Sequence, residues 1–239
     1  MIVMWIAMTP SLNASRRPLS MAGLYRLAQA GCMLAYCGMS ETTRPEWWSA
    51  LAFPPCIETK RLTLRALGPG DANALKDAID ANLDHLQAWM PGAMSEPSSL
   101  EAIESRMEML AAAFANGPEW GYAIRLTGEN EIIGGCGLHA RVGDDALEIG
   151  YWIDSRHLRR GYATESAAAL TATAFAIPSI TRVEIRCDPA NVASAAVPRR
   201  LGFLYIQTLD RNTRTPRGDL RDTMVFEQTR ERFVQGVSS

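Results

Sequence analysis

The residues EIGYWI at positions 148–153 and HLRRGYATE at positions 157–165 decide how this part of the chain folds. The first stretch predicts a β-strand, because β-branched and aromatic residues dominate it. The second predicts a short basic turn, with one glycine at Gly161, that opens an alanine-rich helix. This order brings free backbone N–H groups, Arg159, Arg160 and the positive end of a helix to one place. Such a place binds phosphate.

The hydrophobic pattern on both sides of this stretch predicts a mixed α/β domain. Alternating and β-branched segments predict seven strands, at residues 61–65, 120–126, 131–138, 147–153, 181–187, 204–209 and 222–226. Apolar residues at steps of three and four predict four helices, at residues 71–90, 98–116, 164–176 and 191–200. The order β-α-α-β-β-β-α-β-α-β-β fits a mixed sheet with flanking helices better than a doubly wound parallel one.

Composition divides the chain into three parts. Its 239 residues, 47% of them apolar and 21% charged, are enough for one globular domain and an extension. Residues 1–50 carry few charges and no steady period, so we expect a poorly ordered N-terminal extension there. Residues 51–232 are expected to form the domain, and residues 233–239 a C-terminal tail. Because regular patterning begins late, one hypothesis places the natural start at Met39.

Charge and cysteine content limit the partners and the compartment. A net charge of −2, from 24 basic and 26 acidic residues, predicts no general attraction to nucleic acid. The five cysteines form no Cys-x-x-Cys pair and have no histidine at zinc-ligand spacing, so no metal site is expected. The apolar start is too short to span a bilayer and lacks the basic residues of a signal peptide. We therefore expect a cytoplasmic protein that does not bind a membrane.

Two other phosphate-binding motifs can be compared with the turn at 157–165. No Gly-x-x-x-x-Gly-Lys-Ser/Thr string occurs, which removes the main support for a kinase or nucleotidase. The stretch GCGLHA at 135–140 matches the dinucleotide-binding pattern, but that pattern requires a helix directly behind it. Another strand follows instead, so a turn or bulge between strands is favoured. A nicotinamide-dependent oxidoreductase using Gly135 and Gly137 is thus the weakest hypothesis.

The motifs together resemble the GNAT superfamily of N-acetyltransferases, of the RimJ/RimL type, over about residues 57–228. The resemblance rests on residues 58–65, 148–153, 160–165, 191–194, 201–203 and 221–222. It implies an α/β fold with a mixed, mostly antiparallel central sheet and flanking helices. In that fold the strand at 149–153 splays from the strand at 182–187. It also implies an acetyl-CoA-dependent enzyme that transfers an acetyl group to a primary amine.

The resemblance places acetyl-CoA at the splayed strands and at the basic turn. The pantetheine arm would lie in the gap between the strands, and backbone N–H groups of the turn would hold the pyrophosphate. The implied cofactor-binding residues are Trp152, Ile153, Arg159, Arg160, Gly161, Tyr162, Ala163, Thr164 and Asn191. Leu158 departs from the Gln or Arg that usually opens the family turn. This removes one side-chain donor and leaves the backbone cradle intact.

Ser194 takes its catalytic role from the same resemblance, whereas the candidates for the base come from their position and residue type. Ser194 would lie near the CoA sulfur and donate a proton to the departing thiolate. Glu148 begins the strand that faces the cleft and could accept the proton of the amine through a water, although a solvated strand end is the alternative. His139 and His157 are the other titratable candidates for the base. Pro198 cannot donate an N–H to the Ser194 carbonyl, so we expect a distorted last turn in that helix.

The acceptor is expected to enter beside the helices at 71–114. Trp89, Met90 and Pro91 end the first of them and could line the mouth, with core packing as the alternative. The resemblance implies a protein N-terminal amine first, and a small amine otherwise. A non-catalytic acyl-CoA-binding module is the alternative function. The protein would act as a monomer or a homodimer.

Overall fold

The structure is a computed structural model that describes residues 46–90, 97–214 and 219–237. Its strands are β1 (Cys56–Glu58), β2 (Leu62–Ala66), β3 (Glu119–Leu126), β4 (Gly134–His139), β5 (Ala146–Ile153), β6 (Arg182–Cys187), β7 (Leu204–Arg214) and β8 (Leu220–Thr229). Its α-helices are α1 (Glu46–Ser49), α2 (Ala72–Asp80), α3 (Leu83–Trp89), α4 (Leu100–Asn116), α5 (Tyr162–Phe175), α6 (Val192–Arg200) and α7 (Arg230–Val237). Met39 and Pro91 lie outside the described residues.

One eight-stranded sheet organises the domain, in the order β1-β2-β3-β4-β5-β6-β8-β7. Neighbouring strands run antiparallel, except for β5 and β6, which run parallel. The parallel pair needs a crossover, and α5 supplies it. The predicted mixed α/β fold, with a mostly antiparallel sheet and flanking helices, is confirmed.

The parallel strands β5 and β6 separate part-way along their length. Their pairing ends at Ile149 opposite Ile185, although β5 continues to Ile153 and β6 to Cys187. The last four residues of β5 therefore have no partner in β6. This is the predicted splayed strand pair, and it opens a gap in the middle of the sheet.

The two faces of the sheet carry separate apolar cores. On one face, Ile149 and Tyr151 pack with the buried side of α5, including Leu170. On the other face, Trp152 packs with residues of α2, α3 and α4, including Met107. Successive residues of β5 point to opposite faces, so the splayed strand presents side chains to both sides of the gap.

The glycines at the start of β4 have a packing role. The stretch that matched a dinucleotide-binding loop lies inside β4, so the turn or bulge predicted there is wrong. A Cβ on Gly135 would lie 2.6 Å from Nε1 of Trp152, and a Cβ on Gly134 would lie 2.3 Å from the Trp152 carbonyl oxygen. The glycines therefore let the neighbouring strand β5 place the Trp152 side chain flat against β4.

The helix predicted at 71–90 is two helices, and Asn82 explains the break. The buried Asn82 side chain donates through Nδ2 to the Ala78 carbonyl at 2.9 Å and accepts from the Ser155 backbone N–H at 2.7 Å. An asparagine that bonds locally to backbone competes with the helical pattern. The same side chain fixes the α2–α3 turn to the segment that follows β5.

The ends of the domain carry contacts with the core. Trp48 of α1 is buried, and Phe233 of α7 lies 5.1 Å from Phe175, ring centre to ring centre. The division at residues 50 and 232 stays a prediction. Throughout the described ranges, each helix is too short or too polar to span a bilayer.

Candidate active site

The turn before α5 has the geometry of an anion-binding backbone. Arg159 and Gly161 have positive φ angles of 61° and 81°, and Gly161 is the N-cap of α5. Glycine has no side chain that could cap the helix, so the first N–H groups of α5 are left for an external acceptor. Arg159, Arg160 and Gly161 are all exposed. Backbone N–H groups and the side chains of Arg159 and Arg160 are therefore exposed to solvent together at the N-terminus of one helix.

At the splay, Ser194 lies next to Tyr151, a residue that was not predicted from the sequence. The hydroxyl of Tyr151 lies 3.3 Å from Ser194 Oγ and donates to the Ser194 backbone carbonyl at 3.1 Å. Both residues are buried, and burial raises the pKa of Tyr151. Tyr151 is on the splayed part of β5 and Ser194 is in the first turn of α6. The two hydroxyls thus form one group inside the gap.

Pro198 does not interrupt α6, which continues to Arg200. The Ser194 carbonyl loses its helical donor because proline has no N–H. The Tyr151 hydroxyl takes that place, so the carbonyl is satisfied from the sheet. The helix therefore continues without the expected distortion of its last turn. A hydrogen bond from β5 fixes the backbone of Ser194.

Asn191 is the N-cap of the helix that carries Ser194. Its side-chain oxygen accepts a hydrogen bond from the Ser194 backbone N–H at 2.9 Å. This capping uses the side-chain oxygen and leaves the amide Nδ2 for another partner. A cofactor contact by Asn191 stays a prediction.

Glu148 is fully buried and paired, so it is not a solvated strand end. Its two carboxylate oxygens accept from Arg141 Nε at 2.9 Å and from Arg141 Nη2 at 2.8 Å. Burial alone would raise the pKa of Glu148, but the Arg141 guanidinium outweighs it and the pKa falls to about 2. The carboxylate is therefore ionised at neutral pH and is a weak base.

Glu148 belongs to a row of charged residues that crosses the sheet. Directly opposite positions on five adjacent strands hold Glu119, His139, Glu148, Glu184 and Glu227. Cross-strand partners lie on the same face. We call these five residues the charged row. Arg141, Arg182 and Arg186 pair with its carboxylates. On β5, Glu148 of this row lies one residue before Ile149, the last residue that pairs with β6.

His139 is the histidine of the charged row. It is 1% exposed, and its Nδ1 lies 3.3 Å from a Glu119 carboxylate oxygen. Among the described residues, its Nε2 has no hydrogen-bond partner. A buried polar atom without a partner is unusual in a folded protein. His157, the other histidine considered, lies in the turn after β5 near Tyr162, away from the row.

The mouth residues predicted from the sequence divide into two groups. Met90 is buried in the apolar core under α2, α3 and α4. Trp89 is partly exposed, and the guanidinium of Arg221 lies 5.6 Å from the centre of one of its rings. Arg221 also forms an ion pair with Asp188 at 2.9 Å. The end of α3 is thus tied to β8 and to the segment between β6 and α6.

Within the described ranges, no group of His, Cys, Asp or Glu residues is arranged to hold a metal ion.

Comparison with known proteins agrees with this geometry. The family model of the acetyltransferase (GNAT) domain matches residues 61–204. The chain belongs to the GNAT N-acetyltransferase family. The matched range contains the turn before α5, the splayed strands and Ser194, and the resemblance seen in the sequence is confirmed.

Several members of the GNAT family are similar to this chain over most of their own length. "Putative ribosomal N-acetyltransferase YdaF" of Bacillus subtilis (strain 168) is 32% identical over 159 residues, which cover 62% of this chain and 81% of the relative. RimL, a ribosomal L7/L12 alpha-N-protein acetyltransferase solved in complex with coenzyme A, is 25% identical, with a TM-score of 0.67. That match covers 73% of this chain and 97% of RimL. The ribosomal-protein-S5-alanine acetyltransferase from Vibrio fischeri, at 20% identity and a TM-score of 0.66, shares the fold.

Proposed function

We propose that this GNAT protein uses acetyl-CoA as donor and acetylates a primary amine, most directly the N-terminal amine of a protein. The choice of acetyl-CoA as donor rests on the turn before α5. Its N-cap is an exposed glycine with a positive φ, next to Arg159 and Arg160. A diphosphate fits such a site because it accepts several N–H bonds at once. The coenzyme A bound to RimL supports the same choice.

The splay is proposed to hold the pantetheine arm and the reacting thioester. In direct transfer the amine nitrogen bonds to the acetyl carbon, and the carbon–sulfur bond breaks as thiolate leaves. Ser194 lies in the gap and donates the proton that this thiolate takes up. Tyr151, 3.3 Å from Ser194 Oγ, can return a proton to the serine. Beyond Ile149 the edge of β5 that faces β6 has no strand partner, and the backbone N–H of Ile153, next to Trp152, is proposed to donate from this edge to the carbonyl oxygen.

The proton of the attacking amine needs an acceptor on the other side of the gap. Glu148 is proposed to receive it through a water, because it lies near the start of the strand that faces the cleft. Its ion pair with Arg141 makes it a weak base, and His139 with its unpartnered Nε2 is therefore the competing candidate. Glu148→Gln and His139→Gln separate them. Only loss of the true base should remove the acidic limb of the kcat/KM profile against pH.

The choice of a protein N-terminus follows from the relatives. YdaF is named a putative ribosomal N-acetyltransferase, and RimL a ribosomal L7/L12 alpha-N-protein acetyltransferase. A small amine is the alternative acceptor.

The proposal is tested in two steps. We expect coenzyme A, but not NAD, to raise the unfolding temperature of the full-length protein in a concentration-dependent way. We then expect free thiol to be released from acetyl-CoA when an N-terminal peptide is added. Stabilisation by coenzyme A without thiol release for any peptide or amine would indicate a non-catalytic acyl-CoA-binding module. No stabilisation at millimolar coenzyme A would contradict the proposal.

A further inference from the structure

The side chain of Arg61, the residue directly before β2, reaches the first turn of α5. Its Nε donates to Glu165 Oε2 at 2.7 Å, and its backbone N–H donates to Glu165 Oε1 at 2.9 Å. The Thr59 hydroxyl donates to the same Oε1 at 2.8 Å. Glu165 is in the first turn of α5, where a carboxylate can interact with the N-terminus of its own helix. It binds instead to a segment more than one hundred residues earlier in the chain.

Arg61 also contacts three successive residues of the phosphate-binding turn. Its Nη1 donates to the Arg160 backbone carbonyl at 3.0 Å. Its Nη2 lies 3.5 Å from the position that a Cβ would occupy on Gly161. Its guanidinium carbon lies 4.7 Å from the ring centre of Tyr162. One planar side chain therefore lies along the Arg160 carbonyl, Gly161 and the ring of Tyr162, the first residue of α5.

We infer that Arg61 is a positioning residue for the pyrophosphate of the donor. This rests on the proposed function, since it assumes that the turn before α5 binds coenzyme A. Arg159 holds a left-handed backbone angle that costs free energy for a residue other than glycine. An external tie to the Arg160 carbonyl keeps the turn in that conformation. The N–H groups then point in fixed directions before the ligand arrives.

Arg61 acts through geometry and not through its charge. Its guanidinium is already paired with Glu165 at 2.6 Å, so the pair is close to neutral. Arg159 and Arg160 form no ion pair within the described residues, and their side chains are exposed to an incoming phosphate. The planar fork is what allows one side chain to hold both Glu165 and the Arg160 carbonyl. Lysine has the charge but not the fork.

The test compares Arg61→Met and Arg61→Lys with the matched control Lys60→Met. Lys60 is the exposed neighbour, and its loss removes one positive charge without touching the turn. We expect Arg61→Met to raise the KM for acetyl-CoA about tenfold, as loss of a charge-assisted fork predicts, with the KM for the amine unchanged. Arg61→Lys should give a similar increase, and Lys60→Met should behave as the wild type.

A truncated donor makes the assignment sharper. S-acetylpantetheine lacks the pyrophosphate, so its kcat/KM should be the same in Arg61→Met and the wild type. Glu165→Gln should also raise the KM for acetyl-CoA. The double variant Arg61→Met with Glu165→Gln should have a KM no higher than that of Arg61→Met alone.

Three results would overturn the inference. These are an unchanged KM for acetyl-CoA in Arg61→Met, an equal rise in the KM for the amine, and full rescue by lysine. Failure of the wild type to bind coenzyme A is a different result, and it would contradict the proposed function instead. If Arg61→Met does not fold, Arg61→Lys keeps the aliphatic stem and carries the same comparison.

Discussion

Gly161 is the residue on which the proposed phosphate site in the turn before α5 depends most directly. Its φ of 81° is in the left-handed region, and the nearest atom to an added Cβ is 3.5 Å away. Gly161→Ala therefore meets no clash within the protein and costs only the strain of a left-handed alanine, about 1–2 kcal/mol of unfolding free energy. The methyl group would stand where the phosphate approaches. We expect the Kd for coenzyme A, measured by titration calorimetry, to rise at least tenfold.

Gly202 provides the control for Gly161. It follows α6 with a φ of 76°, and an added Cβ would meet its nearest neighbour at 3.9 Å. Gly202→Ala should lose a similar free energy of unfolding but keep the affinity for coenzyme A. Equal affinity losses in the two variants would mean that strain, and not obstruction of the phosphate, explains the effect.

The junction between β5 and α6 makes a separate prediction at the scale of elements. The Tyr151 hydroxyl satisfies the carbonyl that Pro198 leaves open. Tyr151→Phe should therefore cost about 1–3 kcal/mol of unfolding free energy, because a buried carbonyl loses its donor. Adding Pro198→Ala restores an N–H at the helical position and should recover most of that loss. Urea unfolding of the wild type, both single variants and the double variant measures this coupling.

Turnover should not recover with stability in the double variant. Phenylalanine cannot contact Ser194 Oγ, so kcat should remain low even when the helix is repaired. If Pro198→Ala restores both stability and kcat, then Tyr151 serves only the backbone of α6. If it restores neither, the two residues are not coupled through the Ser194 carbonyl.

The sequence predicted the elements that rest on local pattern. The strand, turn and helix around Gly161 follow from hydrophobic period and from one glycine, and α5 begins within two residues of its predicted start. The three-residue strand β1 was missed because it is too short to show a period. The break at Asn82 was missed because its cause is a hydrogen bond to Ser155, 73 residues away.

The site was predictable in its backbone and less so in its partners. Ser194 and the turn were selected from motifs, but Arg61 and Glu165 meet only through the fold. Pro198 indicates that the Ser194 carbonyl needs another donor, but the fold alone shows that this donor is Tyr151. The pairing of Glu148 with Arg141 is set by the sheet, and so the sequence alone could not indicate how weak a base it is.

At the scale of the whole molecule, the charged row links folding to pH. The Arg141 pair lowers the pKa of Glu148 to about 2, and contact with His139 outweighs burial to lower the pKa of Glu119. In both cases the unfolded chain binds protons more readily than the folded protein. Burial raises the pKa of Glu184, which opposes this effect. Two further carboxylates beyond the row, Asp154 and Glu165, also have lowered pKa values.

Stability should therefore be lost on the acid side. A carboxylate with a lowered pKa stabilises the fold above its unfolded value, and that contribution disappears as the pH falls through the folded value. We expect the free energy of unfolding, from urea titrations followed by tryptophan fluorescence, to decline from about pH 4.5 towards pH 2. Glu148→Gln should be less stable at neutral pH, because Arg141 loses its charged partner, yet its curve should be flatter. Removing one proton from the linkage lowers the slope by up to about 1.4 kcal/mol per pH unit. An unchanged slope in Glu148→Gln would show that the charged row does not control acid unfolding.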